Sequence, residues 1–563
     1  MCQACGCEAP SSAHESKAQR AERLKRERNP WEMMPDLLRY AREGFDAIDP
    51  DDLNTRFRWW GIYTQGDGRG TFGEATPFFM LRIRIANGQL AAHQLRTIAD
   101  LAARYARGAV AITNRQNFQL HWVRIEDVPD IFFALQRAGL TTLGACGDVT
   151  RNITGCPLAG VDGDEVVDAS PIVRQATQML VGNPEYYNLP RKYKISITGC
   201  RVWCSYPETN DIGLTAVRHW ATGEIGFSLR VGGGLSTSPH FGVRLNAFVR
   251  WHQALGVIRG ITDIFRDSDV LRQDRAKARL KFLFIEHGWD AQRFLEELER
   301  RIGFRLDPAV PEAPPQDAYR DHVGIHPQKQ AGLYYAGFSV PVGRACPDLL
   351  HRVADLAERY GDGSVRTTNM QNIVVLNVPE DRLSALRAEA DAAGLQLGGS
   401  AFKRGTVACT GSQFCKLAIT ETKGFATALA DELERRLPGF GASLRINVTG
   451  CPNDCGQRWI ADIGLQGTKM KVDGQQVDGY EVFLGGALGA SQTFARRVKY
   501  RVAASQAADA LERLLRIYLA RRASKDETFH AFCARHRDEE LRGFLAGTPE
   551  TDAAPSTVAT GTR

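Results

Sequence analysis

Two cysteine pairs stand late in the chain, Cys409 with Cys415 and Cys451 with Cys455. The first is C-x5-C; the second is C-x3-C within VTGCPNDCGQRWIADIGL. One pair cannot close a metal site, but two can. Three readings compete for these four thiols. An iron–sulfur cluster takes cysteines at varied spacings, and thiolates are its natural ligands. Structural zinc favours about two to four residues between pair members, so five is a poor fit. Cysteine also buries as a small apolar side chain. Gly411, Gly450 and Gly456 let backbone come close to a bulky group. Backbone N–H groups there can hydrogen-bond sulfur and tune its potential.

A second set of chemistry-bearing residues sits on strand-like stretches, where residues two apart share a face. In FMLRIRI, Phe79, Leu81, Ile83 and Ile85 form the apolar face, so Arg82 and Arg84 point together to the other. In TNRQNFQLH, Thr113, Arg115, Gln119 and His121 share a parity. Lys192, Lys194, Ser196 and Thr198 do so in RKYKISITGC, and Arg445, Asn447 and Thr449 in LRINVTGC. Solvated outer faces of half-buried strands explain each stretch alone. Convergence of several such faces would aim cations into one cavity suited to an oxyanion or a polyanion. Periodicity does not decide between the two.

The elements that must position these residues occur twice. ADLAARYARGAVAITNRQN at 99–117 recurs 255 residues later as ADLAERYGDGSVRTTNMQN at 354–372. TGCRVWCSYPETNDIGL at 198–214 mirrors TGCPNDCGQRWIADIGL at 449–465, offset by 251. The chain is a duplication of about 200 residues, too few copies for a solenoid. Each first module reads strand, helix, strand, helix. Leu95, Ile98, Leu101, Ala102 and Tyr105 fall on one helical face, followed by a strand AITNRQNFQLHWV and an apolar helix near VPDIFFALQRAGL. A small sheet with helices on one side, an α+β arrangement, is expected. Pro308, Pro311, Pro314 and Pro315 mark a linker between the copies.

TNRQNFQLH, LPRKYK, the C-x5-C pair and TGCPNDC, in that order, resemble the sirohaem- and 4Fe–4S-containing nitrite and sulfite reductase family, ferredoxin-dependent type. The resemblance runs from about Leu53 to Leu541 and accounts for the duplication. It implies a duplicated three-domain fold: two ferredoxin-like half-domains, 51–148 and 325–402, and two sirohaem/Fe–S core domains, 149–305 and 403–545. Residues 1–50 are then an N-terminal tail or arm, 306–324 the linker and 546–563 a disordered tail. It also implies that Cys409, Cys415, Cys451 and Cys455 hold one 4Fe–4S cluster and that Cys455 bridges to the sirohaem iron. Arg82, Arg151, Lys192 and Lys194 match the cations that bind the substrate and supply protons. Thr113, Arg115, Gln119, His121 and Asn453 match positions around the carboxylate-rich sirohaem. The implied reaction is six-electron reduction of sulfite to sulfide or nitrite to ammonia. The implied donor is a ferredoxin, usually acidic, which a basic face such as RRVKYR at 496–501 or Lys403-Arg404 would meet.

The substrate signals are mixed. Lys194 resembles sulfite-reducing members, and a second cation favours a dianion. RFRWWGIYTQG resembles actinobacterial ferredoxin-dependent sulfite reductases, in which a tyrosine and a cysteine can be crosslinked; Tyr63 and Cys146 match them. NITGCPLAG at 152–160 resembles nitrite reductases. The reading leans to sulfite. A non-catalytic haem or iron–sulfur sensor and a zinc-stabilised binding protein are the other classes weighed. A sensor does not need the four substrate-side cations.

Composition agrees with a multi-domain globular protein of 563 residues, 43% hydrophobic and 24% charged. No apolar run of about 18 residues indicates a membrane span, and no apolar leader is visible, so a cytoplasmic protein is expected. Thirteen cysteines there point to metal, redox or buried thiols rather than disulfides. A net charge of +6 suits an acidic partner and is too mild to argue for nucleic acid. A monomer is expected on resemblance alone. With Cys146, the residues Cys156, Cys200 and Cys204 make four first-copy thiols, and Cys200-x3-Cys204 copies the spacing of Cys451-x3-Cys455. A second cluster is one reading, but buried thiols left by the duplication are expected, since the first copy shows no match to Cys409-x5-Cys415. Cys2, Cys5 and Cys7, with His14 nearby, read as a tail with exposed thiols, and SKAQRAERLKRER as a solvated helix or disordered arm.

Overall fold

A computed structural model describes residues 15–316 and 319–548. Cys2, Cys5, Cys7, His14 and residues 549–563 lie outside the described residues.

The first module forms an antiparallel sheet in the order Ile62–Gly66, Ala75–Ile83, Phe118–Val123, Val110–Ile112 and Arg344–Ala345. Its counterpart runs Gly324–Pro327, Leu333–Phe338, Ile373–Pro379, Ser364–Thr367 and Gln89–Ala91. Each sheet therefore takes its last edge strand from the other copy. Gln89–Ala91 and Arg344–Ala345 are repeat-related, so the exchange is reciprocal. One apolar core joins both copies, from Leu81, Ile98 and Leu120 to Ala336, Val353 and Val375. The helices Ala92–Tyr105 and Pro347–Tyr360 pack together, with Arg96 bridging Glu358 and Asp355 at 2.6 Å each. The apolar face expected on the first helix is buried at Leu95, Ile98, Leu101 and Ala102. Lending an edge strand covers backbone that would otherwise stay unpaired.

Two further mixed sheets carry the second modules. One runs Ile195–Thr198, Ile212–Arg218, Ile225–Val231 and Val243–Arg250; the other runs Thr406–Ala408, Ile446–Thr449, Ile463–Val472, Gln475–Leu484 and Arg496–Ala503. Each has a separate core under its own helices, Ala254–Arg266 and Ala291–Ile302 in one, Lys423–Arg436 and Ala507–Arg521 in the other.

Three expectations change. The stretch AITNRQNFQLHWV is not one strand. It breaks into a hairpin at 113–117, with Gln116 at φ 61°, and Thr113 Oγ1 accepts the N–H groups of Arg115 and Asn117. The side-chain amide of Gln116 then bridges Gly155 O and Thr367 O, so this turn stitches the half-domains to the first core. Residues 17–47 are no free arm. Ser16 caps the helix Lys17–Glu27, whose Lys25 is 1% exposed and donates to Glu22 and Leu189 O; Met33, Leu37 and Tyr40 enter the main core. An apolar stripe too sparse to read among so many charges is completed by a buried ion pair. The proline-rich linker is anchored too. Glu312 pairs with Arg230 and Arg244, and Val310 is buried.

Candidate active site

Strand parity does not by itself gather the cations; loops beside the strand ends do. Arg82 leaves the strand Ala75–Ile83 half-buried and donates from Nη1 to Cys146 Sγ at 2.8 Å. Its sequence partner Arg84 does something else. It is buried, and its guanidinium donates to four carbonyls: Leu143 at 3.2 Å, Gly144 at 2.6 Å, Thr150 at 2.7 Å and Arg151 at 3.1 Å. Arg84 thus fastens the loop 143–151, which carries both Cys146 and Arg151. Arg151 Nε donates to Gly147 O at 3.0 Å inside that loop.

Lys192 and Lys194 lie just before the strand Ile195–Thr198. Asp211 fixes this segment by accepting the Lys194 N–H at 2.7 Å while paired to Arg279 at 2.8 Å. In the second copy Asp462 likewise accepts the Arg445 N–H at 2.8 Å, but its ion-pair partner is the Arg445 guanidinium itself. The repeated Asp-Ile-Gly-Leu was the sequence signal for this clamp, and its role was not read. Among the described residues, none of Arg82, Arg151, Lys192 and Lys194 has a carboxylate partner. Burial pulls Lys192 down to about 8; the Cys455 charge opposes this, while Arg279, Arg191 and Arg151 add to it. Lys194 is held well below the usual lysine range, first by burial and then by Arg279, Arg115 and Lys192. Burial works against the Arg82 charge too, but Cys146, Tyr63 and Cys455 outweigh it and raise its pKa. One sulfur, Cys455, is thereby an electrostatic neighbour of three substrate-side cations.

The four thiols of the second core meet on two short loops. Cys409 follows the strand Thr406–Ala408, and its Sγ accepts the Gly450 N–H at 3.2 Å. Cys451 and Cys455 follow Ile446–Thr449, with Asn453 exposed in the turn between them. Asn114, in the turn of the first half-domain, donates to Cys455 O at 2.6 Å. Burial, then the Cys455 charge, pushes Cys451 up to about 12; burial pushes Cys415 up to about 11, backbone donors oppose it, and the Cys455 charge adds to it. Thiols that resist charging together become thiolates when a positive iron centre is among them.

The remaining predicted residues have the following partners. Arg115 donates to Asn210 Oδ1 at 2.8 Å and Asn152 O at 2.7 Å; burial and Arg151 pull it down to about 9. Gln119 Nε2 faces Met80 Sδ at 3.3 Å. His121 stacks on Phe414 at 3.8 Å and 14°, and burial holds it at about 3, so it is neutral. Tyr63 lies within the field of Cys146, which, after burial, raises its pKa. Both ring nitrogens of His121, Nε of Arg115, Oγ1 of Thr150 and Oδ1 of Asn152 are buried without partners. Orphaned polar atoms beside unpaired cations fit a large, carboxylate-bearing group together with a small anion.

The surface runs proposed for a donor are largely spent on internal pairs. Arg496 pairs with Asp538, Arg497 and Arg501 with Glu481, Lys403 with Asp431 and Glu434, and Arg404 with Asp321.

The chain matches the nitrite and sulphite reductase 4Fe–4S domain over residues 146–306 and 399–540. It matches the nitrite/sulfite reductase ferredoxin-like half domain over 73–138 and 326–393. A relative from Mycolicibacterium paratuberculosis named sulfite reductase (ferredoxin) 1 is 40% identical over 89% of this chain and 92% of its own. A ferredoxin–nitrite reductase of Synechococcus elongatus is 38% identical over 90% of this chain and 98% of its own. The solved structure of the Mycobacterium tuberculosis NirA protein superposes with a TM-score of 0.88, 37% identity, and coverage of 94% of this chain and 98% of that one.

Proposed function

Because the chain belongs to the nitrite and sulphite reductase family, we propose that its physiological reaction is the six-electron reduction of sulfite to sulfide, with nitrite to ammonia as a second reaction of the same centre. It is a ferredoxin-dependent oxidoreductase whose cofactors are sirohaem and a 4Fe–4S cluster. The observation that carries the residue assignment is Cys455. It sits among the cluster thiols and also acts on Arg82, Lys192 and Lys194.

Cys409, Cys415, Cys451 and Cys455 would hold the cluster, and Cys455 would also serve the sirohaem. The coupled iron centres supply the electrons one at a time. The protein does the rest. Arg82, Arg151, Lys192 and Lys194 bind the anion and oppose its charge, which suits a dianion better than a monoanion. Lys192, poised at about 8, is protonated at neutral pH and gives up a proton more readily than an ordinary lysine. Arg82 keeps its charge throughout. Arg115, Gln119, Thr113 and Asn453 serve the cofactor's carboxylates, and neutral His121 serves as a hydrogen-bonding group. Cys146 accepts from Arg82 and acts on Tyr63 electrostatically; a Tyr63–Cys146 thioether, formed with loss of two hydrogens to a two-electron oxidant, would fix the tyrosine.

The donor docks beside the loop that carries Cys415. Leu417 is 59% exposed there and Phe72 58% exposed on the neighbouring turn, which is tied to that loop by Thr71 N–H to Ala418 O. Lys416 and Arg344 add positive charge for an acidic partner.

The deciding experiment compares kcat/KM for sulfite and nitrite in one preparation with an artificial one-electron donor. A sulfite preference of tenfold or more supports the proposal; a nitrite preference overturns the substrate and leaves the family standing.

A further inference from the structure

The first copy contains counterparts of all four cluster-thiol positions, and they lie together. Thr154 bridges Ser196 in parallel, as Val407 pairs with the repeat-related Asn447. Cys156 and Cys409 each follow two residues on. The loops after them are built alike. The Asp162 N–H donates to Leu158 O as the Cys415 N–H does to Gly411 O, both at 2.9 Å. The Val166 N–H meets Gly199 O as the Ile419 N–H meets Gly450 O, both at 2.7 Å. Asp162 therefore stands where Cys415 stands, and Cys200 and Cys204 stand where Cys451 and Cys455 do. The missing first-copy match to Cys409-x5-Cys415 is present in space as Cys156-x5-Asp162.

The Sγ atoms of Cys156, Cys200 and Cys204 all lie within 4.8 Å of one another, and Cys200 and Cys204 are 3.5 Å apart. Cys156 Sγ is 3.6 Å from Asp162 Oδ2. All four side chains are buried, and Arg320 holds Asp162 at 2.8 and 3.1 Å. Close by, in the field of Cys200, His322 is 3% exposed and neither ring nitrogen has a partner. Simple apolar burial of thiols explains neither the carboxylate nor the orphaned imidazole.

We propose that Cys156, Cys200 and Cys204 form a second metal site, holding a single thiophilic divalent cation of the zinc type; Asp162, 3.6 Å from Cys156 but outside the group of three, would close toward the ion as its fourth ligand. Metal–sulfur bonds of about 2.3 Å keep the sulfurs of one ion within about 4.6 Å of each other, close to the 4.8 Å that bounds these three sulfurs. Among the described residues the cluster thiols form no such tight group, as a larger multi-iron centre requires. Aspartate is an accepted oxygen ligand for zinc. Arg320 offsets part of the negative charge that three thiolates and a carboxylate bring. The ion's role is structural. It ties the loop 156–166 to the turn 199–204, and Arg320 and Lys329 extend that tie to the linker and the second copy.

The test uses the cofactor-loaded enzyme. It is incubated with excess Zn²⁺, desalted, and assayed for zinc and iron together. The wild type should retain one zinc per chain. Cys200→Ser should retain at most a tenth of that with its iron unchanged, and Asp162→Asn should bind zinc at least tenfold more weakly. A wild type that holds no zinc, or equal retention in Cys200→Ser, overturns the site. If Cys200→Ser does not fold, Co²⁺ titration of the wild type decides: a thiolate-to-cobalt charge-transfer band that saturates at one equivalent supports the site, and its absence overturns it. Additional iron with acid-labile sulfide, lost in Cys156→Ser, would mean a second cluster and also overturn the single-ion assignment.

Discussion

Replacing Arg84 with methionine should loosen the active site without touching any group that meets substrate. The guanidinium makes four hydrogen bonds, to Leu143, Gly144, Thr150 and Arg151 carbonyls. Bonds from a charged donor contribute about 1.5–3 kcal/mol each, so the set is worth about 6–12 kcal/mol gross. Against this stands the cost of burying the charge. Burial first, then Arg151 and Arg115, pull Arg84 down to about 9, which corresponds to about 5 kcal/mol. Methionine removes both terms, keeps most of the stem volume, and leaves four carbonyls without their donor. A net loss of about 1–7 kcal/mol follows. Because the freed loop carries Cys146 and Arg151, kcat/KM should fall at least tenfold for sulfite and nitrite alike. Arg84→Lys, with fewer donors than there are carbonyls, should fall between. Chemical denaturation followed with steady-state kinetics on the loaded enzyme reads both effects. An Arg84→Met enzyme with unchanged midpoint and unchanged kcat/KM would refute the clamp. Lost stability with full activity would show that the loop does not depend on it.

Lys194→Asn removes one cation from the substrate side and should shift the sulfite-to-nitrite ratio of kcat/KM at least tenfold toward nitrite; an unchanged ratio would remove Lys194 from substrate choice. For Lys192 the folded value of about 8 lies below the ordinary 10.5, so between these pH values the unfolded chain binds more protons and this group's contribution to stability rises with pH. The same deprotonation strips the anion site of a cation, so kcat/KM should decline above about pH 8, and Lys192→Arg should move that decline upward; a wild-type profile flat to pH 9 would contradict the assignment. Leu417→Glu should raise KM for a ferredoxin donor at least fivefold and leave the rate with an artificial donor unchanged; equal loss with both would place docking elsewhere. If Tyr63 and Cys146 are joined after two-electron oxidation, the denatured chain should weigh about 2 Da less than its sequence, and Cys146→Ser should restore the full mass.

What the sequence disclosed was set by how locally each feature is encoded. Cluster cysteines and repeated stretches are local in the chain and could be read directly. The identity of the four cations came from motifs, and their convergence was not a matter of strand parity. Arg82 and Arg84 share a parity, yet one meets Cys146 and the other is consumed by four carbonyls. Parity gives the direction of a side chain and not the company it finds. The hairpin at 113–117 escaped because its residues alternate as a strand would, while the bonds that turn it run to the Thr113 hydroxyl and from the Gln116 backbone N–H to Thr113 O. The packed helix 17–27 escaped because Lys25 is buried against Glu22 and Asp148, and Asp148 is remote in sequence.

The counterpart of the cluster site escaped for a more instructive reason. The repeats align at an offset of 255 near residue 113 and of 251 near residue 200. Cys156 meets Cys409 at 253, between the two, where neither alignment looks. Only the hydrogen-bond register of two loops, Asp162 on Leu158 and Cys415 on Gly411, reveals the pairing. The two copies thus match at these positions except one, which is cysteine in the second and aspartate in the first. That exchange, with the closer sulfurs of the first copy, is the physical basis for expecting one half to hold an iron cluster and the other a single ion.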